Sequence, residues 1–268
     1  MTTDQRHGPE ELKAAIGELL TATDRLALCL DFDGTLAPIV DDPDEAGMPD
    51  ETRDHVQTLA EHPAVDVAVI SGRALEDVRS RAGIDGISYA GNHGLELQRG
   101  EEVWIHPDVE THRPALEKAL DRIRQELSGV PGTSVEDKHA SATIHYRRAN
   151  TEDSGFVIAA VEETVENEDG VSMTVDNQTV EIRPDIPQRK GEAVRELIDV
   201  QSGMGIVYLG DAQTDVDAFE TLAAVPNETV EISVGDTLPA KGYHLDSPAA
   251  VQRVLAWLSD EIDTNSGH

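Results

Sequence analysis

The chain has 268 residues, with 53 acidic and 21 basic side chains, a formal net charge of −32 and a single cysteine, Cys29. A surface that negative repels phosphate backbones and anionic lipid headgroups, so nucleic-acid and membrane-surface binding are excluded as readings. One cysteine makes no disulfide framework and no thiolate metal site, no apolar run approaches a membrane span, and the N-terminus lacks the apolar segment of a signal peptide. A soluble, cytoplasmic protein is expected. The acids are spread along the whole chain rather than gathered in a tail, which points to a halophilic protein, dispersed and hydrated in concentrated salt.

Arg25 to Leu30 is a continuously apolar run, the pattern of a strand buried on both faces of a parallel sheet. A helix is predicted over 50–62, a second buried strand over Val65–Ile70, a helix ending on Gly83 and a third strand over Ile87–Ala90. Strand–helix alternation of this kind builds a parallel sheet covered by helices. After about residue 108 the pattern changes. One long amphipathic helix, Glu110–Leu127, carries Leu116, Leu120, Ile123 and Leu127 on one face. Two alternating strands, GTSVEDK and SATIHYRR, follow, then a helix over Ser154–Glu166. VSMTVD and TVEIRP form a final pair, closed by a tight hairpin at Asp176-Asn177-Gln178. The parallel pattern then resumes, with a helix in GEAVRELIDV, a buried strand GIVYLG, a helix DVDAFETLAA and a strand TVEISV. A closing helix spans Pro248–Ser259, with a tail expected to fray. The fold class is therefore α/β: a Rossmann-like doubly wound parallel sheet formed by 1–108 and 187–268, interrupted by an inserted α+β unit (α-β-β-α-β-β) at 109–186.

The most informative stretch is LDFDGTLAPI. Asp31 and Asp33 follow an apolar strand, and ligands of open α/β sheets bind at the carboxyl ends of strands. Paired carboxylates there bind a cation, divide acid and base roles, or supply a nucleophile. GDAQTD after GIVYLG places Asp211 and Asp215 at a second strand end. Two such clusters on neighbouring strands suit a hard divalent cation, Mg²⁺, which usually shares its coordination with a substrate phosphate. Ser71 ends the second strand just before a helix, where a hydroxyl and free N–H groups can hold an anion; as an isolated residue it reads equally as a helix cap. Lys190, among only five lysines, opens a helix, where the dipole disfavours a cation. A bound phosphate would explain it.

In this order, DFDGTLAPI, VISGR, RKGEAV and GDAQTDVDAF resemble the haloacid dehalogenase-like phosphatases, and within them the trehalose-6-phosphate phosphatase family. Gly91-Asn92-His93-Gly94 and His145-Tyr146-Arg147 stand where that family has its GNHG and HYR stretches. The resemblance runs from about 26 to 245, and the inserted unit resembles the family's mobile cap. It departs at Ala212, where the family usually has a second aspartate, and at Val216-Asp217. The resemblance implies that Asp31 attacks phosphorus to form an aspartyl-phosphate, and that Asp33 protonates the leaving sugar oxygen and later activates water. Mg²⁺ would sit on Asp31, Asp211 and the backbone carbonyl of Asp33. Ser71 and Lys190, with Gly72 and Arg73, would hold phosphate oxygens, and Asp215 would orient Lys190 or a metal-bound water. For the sugar, the inserted unit offers Glu136, Lys138, His139, Ser141, His145, Glu181 and Arg183, with Lys138 and Glu181 foremost, followed by Asn92 and His93. Because His145 and Tyr146 alternate, one of them is expected to face that unit's own core. The expected partner is a small-molecule sugar phosphate, trehalose 6-phosphate ahead of sucrose 6-phosphate or a mannosyl- or glucosyl-phosphoglycerate, and the expected state is a monomer. A non-enzymatic phospho-accepting domain also carries strand-end aspartates and a lysine. It is about half this length and has no inserted unit.

Overall fold

A computed structural model describes residues 5–40, 46–176, 178–198, 203–238 and 241–265. They form two compact units, one made of the stretches up to Trp104 and from Gln188 onward, the other of Ile105–Pro187.

The first unit is built on a nine-stranded sheet. Its strands are β1 (Gln5–His7), β2 (Arg25–Asp31), β3 (Val65–Ile70), β4 (Ser88–Gly91), β5 (Glu96–Arg99), β6 (Glu102–Ile105), β11 (Met204–Gly210), β12 (Thr229–Val234) and β13 (Lys241–Leu245). Their spatial order is β1-β13-β12-β11-β2-β3-β4-β5-β6. Pairing is parallel from β1 through β4 and antiparallel between β4 and β5. The central pair β2 and β11 consists of the two apolar runs that end in acids, in register Leu30 to Leu209.

The period of two along β2 sorts its side chains. Leu26, Leu28 and Leu30 enter one core with residues of the helices α1 (Pro9–Ala22), α2 (Asp50–Glu61), α3 (Leu75–Ala82) and α8 (Pro248–Asn265). Ala27 and Cys29 enter the opposite core, with Ile206 and Tyr208 of β11 and with α6 (Lys190–Leu197) and α7 (Gln213–Leu222). Helices therefore cover both faces. Each fully buried large apolar side chain contributes about 1.5–3 kcal/mol. Asp31 continues the 27, 29 series, so the alternation itself sends its carboxylate to the α6/α7 side.

Five elements of this unit are not among those expected: β1, α1, β5, β6 and β13. The closing helix also runs on to Asn265, so the part of the tail expected to fray is helical up to that residue.

The second unit has α4 (Val109–Glu126) and α5 (Ser154–Glu166) packed on a four-stranded antiparallel sheet. The strands β7 (Ser134–Asp137), β8 (Ala142–His145), β9 (Val171–Asp176) and β10 (Thr179–Pro184) lie in the order β7-β8-β10-β9. Ala142, Ile144, Val180 and Ile182 face the helices and join Leu116, Leu120 and Ile123 in one core. Register places the alternate residues, Glu136, Thr143, Glu181 and Thr174, in a row across the other face. Of the hairpin expected at Asp176-Asn177-Gln178, Asn177 lies outside the described residues.

Candidate active site

Asp31 is the last residue of β2 and 4% exposed. Its Oδ1 accepts a hydrogen bond from Lys190 Nζ at 2.6 Å. Lys190, the first residue of α6, also donates to Asp215 Oδ1 at 2.8 Å. The same Asp215 oxygen accepts from the Tyr208 hydroxyl at 2.7 Å, while Asp215 Oδ2 accepts from the Ala212 backbone N–H at 3.0 Å. Both oxygens of Asp215 are thus engaged. Asp31 Oδ2, by contrast, is buried with no hydrogen-bond partner.

Asp211 completes the cluster. One carboxylate oxygen each from Asp31, Asp211 and Asp215 lie within 4.8 Å of one another. Glycine is required beside them: Gly34 has φ +85°, and a Cβ there would collide with the Asp211 carboxylate. Lys190 bonds two of these three buried carboxylates, so the cluster holds more acids than cations. Burial pushes Asp31 well above the ordinary carboxylate range; Lys190 opposes this, and Asp215 and Asp211 add to it. Burial alone would push Lys190 down, but Asp215 and Asp31 hold it above the usual amine value, so it stays charged. An unpartnered buried carboxylate oxygen, an adjacent second carboxylate and a cluster with more acids than cations fit a hard divalent cation bound through oxygen.

Asp33 is placed differently from Asp31. Arg73 grips it with two parallel bonds, Nε to Oδ2 and Nη2 to Oδ1, both 2.7 Å. The third arm, Nη1, reaches Asp77 Oδ2 at 2.8 Å. Arg73, expected to bind phosphate, is therefore committed to two carboxylates here. Burial alone would lower its guanidinium, but Asp33 and Asp77 hold it above the ordinary value. Ser71 follows β3, whose last residue Ile70 pairs with Asp31. It is buried, and its Oγ accepts the Arg73 N–H at 3.1 Å, leaving its own proton to donate. Gly72 lies under the imidazole of His93, and Asn92 and His93 are buried in a 3-10 turn after β4.

In the second unit, Lys138 and Ser141 close a short loop, with Lys138 N–H bonded to Ser141 carbonyl at 2.9 Å. Ser141 is fully buried. His145 pairs through Nε2 with Glu136 at 2.8 Å, on the polar face that also carries Glu181. Arg183 lies two residues beyond Glu181 on the same strand, partly buried. Tyr146 is the member of its pair that enters the core. His139, at φ +67°, pairs with Glu110.

Sequence reasoning did not single out Tyr208, Asp77 or Glu96, and named Asp217 only as a departure from the family pattern, without a role. Tyr208 had a visible signal, a hydroxyl inside a strand that is otherwise wholly apolar. Asp217 accepts the Gly191 N–H through Oδ2 at 2.9 Å, which ties the start of α6 to α7.

The family model of the trehalose-phosphatases matches residues 29–245. The chain belongs to that family. Trehalose-phosphate phosphatases are among its relatives, one from Mycolicibacterium paratuberculosis at 38% identity over 253 residues and one from Mycobacterium tuberculosis at 37% over 244 residues. These alignments take in 90% and 88% of this chain but only 64% and 62% of those proteins, so the chain spans less than two thirds of their length. Among solved structures, the C-terminal domain of trehalose-6-phosphate phosphatase from C. albicans matches with a TM-score of 0.81 at 23% identity, covering 93% of this chain and 96% of that one. A haloacid dehalogenase-like hydrolase from Bacteroides thetaiotaomicron matches with a TM-score of 0.60 at 13% identity, over 87% of this chain and 99% of that one. Likeness at such identities concerns the fold.

Proposed function

We propose that the protein hydrolyses trehalose 6-phosphate to trehalose and phosphate through an aspartyl-phosphate on Asp31, with Mg²⁺ as cofactor. The observation that carries this reading is the asymmetry of Asp31: one oxygen is pinned by Lys190, the other is buried and unpartnered beside Asp211. Membership of the trehalose-phosphatase family supports this substrate over other sugar phosphates. The second compact unit, absent from simple phospho-accepting domains, argues against a signalling role.

Asp31 would attack phosphorus in line as the bond to the sugar oxygen breaks, and Asp33 would give that oxygen its proton. Water would then attack the aspartyl-phosphate and lose a proton to Asp33, releasing phosphate and restoring the Asp31 carboxylate. The paired bonds from Arg73 set the plane of Asp33, and Asp77 keeps Arg73 in place when Asp33 turns to the leaving oxygen. Ser71 and Lys190 would donate to the non-bridging phosphate oxygens. Asp31 and Asp215, the latter held by Tyr208, keep the Lys190 ammonium charged and directed. Asp31, Asp211 and the Asp33 carbonyl would hold Mg²⁺, which when bound supplies neutralisation of phosphoryl charge. In the second unit, the polar face with Glu136, His145 and Glu181, together with Lys138, offers the donors and acceptors an uncharged disaccharide needs.

The test is Asp31→Asn. It should abolish release of phosphate from trehalose 6-phosphate while the circular dichroism spectrum stays that of the wild type. Wild-type turnover by that variant, with Mg²⁺ present, would refute the nucleophile.

A further inference from the structure

The helix that follows the serine loop has no side-chain cap of its own. Helix α3 begins at Leu75, and its cap position is Ala74, which has no side-chain acceptor for the free N–H groups of the first turn. The missing acceptor comes from another strand. Glu96, the first residue of β5, accepts the Leu75 N–H through Oε2 at 2.8 Å. The same oxygen accepts Asn92 Nδ2 at 2.7 Å. A negative carboxylate is favoured at that end of a helix.

Asn92 sits in the turn that backs the loop. Asn92 N–H donates to the Arg73 carbonyl at 2.7 Å, and His93 N–H donates to the Ser71 carbonyl at 2.9 Å. Both have positive φ, +47° and +55°, a region non-glycine residues adopt only when surrounding bonds hold them there. Glu96 therefore bridges the two ends of one assembly, the start of α3 on one side of Ser71-Gly72-Arg73 and the strained Asn92–His93 turn on the other.

We infer that Glu96 is a positioning residue for oxyanion binding: one of its carboxylate oxygens fixes the loop that carries the Ser71 hydroxyl. This rests on the phosphatase reading above. Loop displacement of about 1 Å costs on the order of 100-fold in rate.

The experiment compares Glu96→Ala and Glu96→Gln with the wild type, using orthovanadate affinity by titration calorimetry and kcat/KM for p-nitrophenyl phosphate, with Mg²⁺ present. The alanine variant should lose about 10- to 100-fold in both. The glutamine variant keeps a carbonyl acceptor of the same reach and should stay within about threefold of wild type. A folded alanine variant with wild-type vanadate affinity and kcat/KM would overturn the inference, as would a glutamine variant that loses as much as alanine. Should Glu96→Ala fail to fold, Glu96→Asp decides, because its carboxylate is one carbon too short to reach both donors: weakened vanadate binding supports the inference and unchanged binding overturns it. Trehalose 6-phosphate is assayed in parallel. If the wild type ignores it while the vanadate differences stand, the substrate assignment fails and the role of Glu96 is supported. Absence of vanadate binding by the wild type would overturn both.

Discussion

Tyr208 shows how a single buried hydroxyl serves the site. Its ring packs edge-on against Phe219, with centroids 5.6 Å apart, and its O–H donates to Asp215 beside Lys190. Tyr208→Phe keeps the packing and removes one donor to a buried carboxylate. We expect a stability loss of about 1–3 kcal/mol by denaturant unfolding, with the fold retained; unchanged stability would mean that Asp215 does not depend on this bond. Gly34 makes the complementary case. Gly34→Ala would drive a Cβ into the Asp211 carboxylate at a positive φ. The variant should need more Mg²⁺ for half-maximal activity, and an unchanged Mg²⁺ requirement would count against Asp211 as a ligand. Asp31, Asp211 and Lys190 were legible because each follows or opens an element marked by an apolar run. The Arg73–Asp33 fork was not, since the two residues are 40 positions apart and only folding shows whether that arginine meets substrate or carboxylate. Glu96 was hidden for the same reason.

Elements with a clean period were readable, and elements without one were not. The long helix α4 carries an apolar stripe at helical spacing and β10 alternates half-buried with buried positions, so the layout of the inserted unit is legible in the sequence. β5 and β6 are four residues each, and all of β6 is exposed, including Val103, Trp104 and Ile105. A short strand with apolar residues on both sides carries no two-residue signature. On the polar face of the second unit, the row Glu136, Thr143, Glu181 and Thr174 follows from register alone. The proposal that this unit reads the sugar makes a specific forecast for the neighbouring loop. Lys138→Ala should raise KM for trehalose 6-phosphate by about 10-fold or more, the scale of one lost charge-assisted hydrogen bond, and leave KM for p-nitrophenyl phosphate nearly unchanged. Equal effects on the two substrates would remove Lys138 from sugar recognition.

At the scale of the whole molecule, charge dominates. A net charge of −32 makes the folded state self-repelling in dilute buffer. Screening shortens from about 10 Å at 0.1 M salt to about 3 Å at 1 M. The melting temperature should therefore climb with KCl and the protein should lose structure on dilution; the same melting temperature and activity in dilute buffer would contradict adaptation to salt. Among the described residues no helix is long and apolar enough to cross a membrane. The α/β class and the interruption by an α+β unit could be read from the order of the periods, whereas the nine-stranded width could not, because β1 is a three-residue edge strand and β13, between it and β12, is only five residues long.

The most direct test of the central claim is phosphate release by the wild-type protein in molar KCl with Mg²⁺, from trehalose 6-phosphate, sucrose 6-phosphate and glucose 6-phosphate side by side. The account predicts rapid release from trehalose 6-phosphate, with kcat/KM well above that for the other two. Equal or greater release from another sugar phosphate, or none from any of the three, would contradict it.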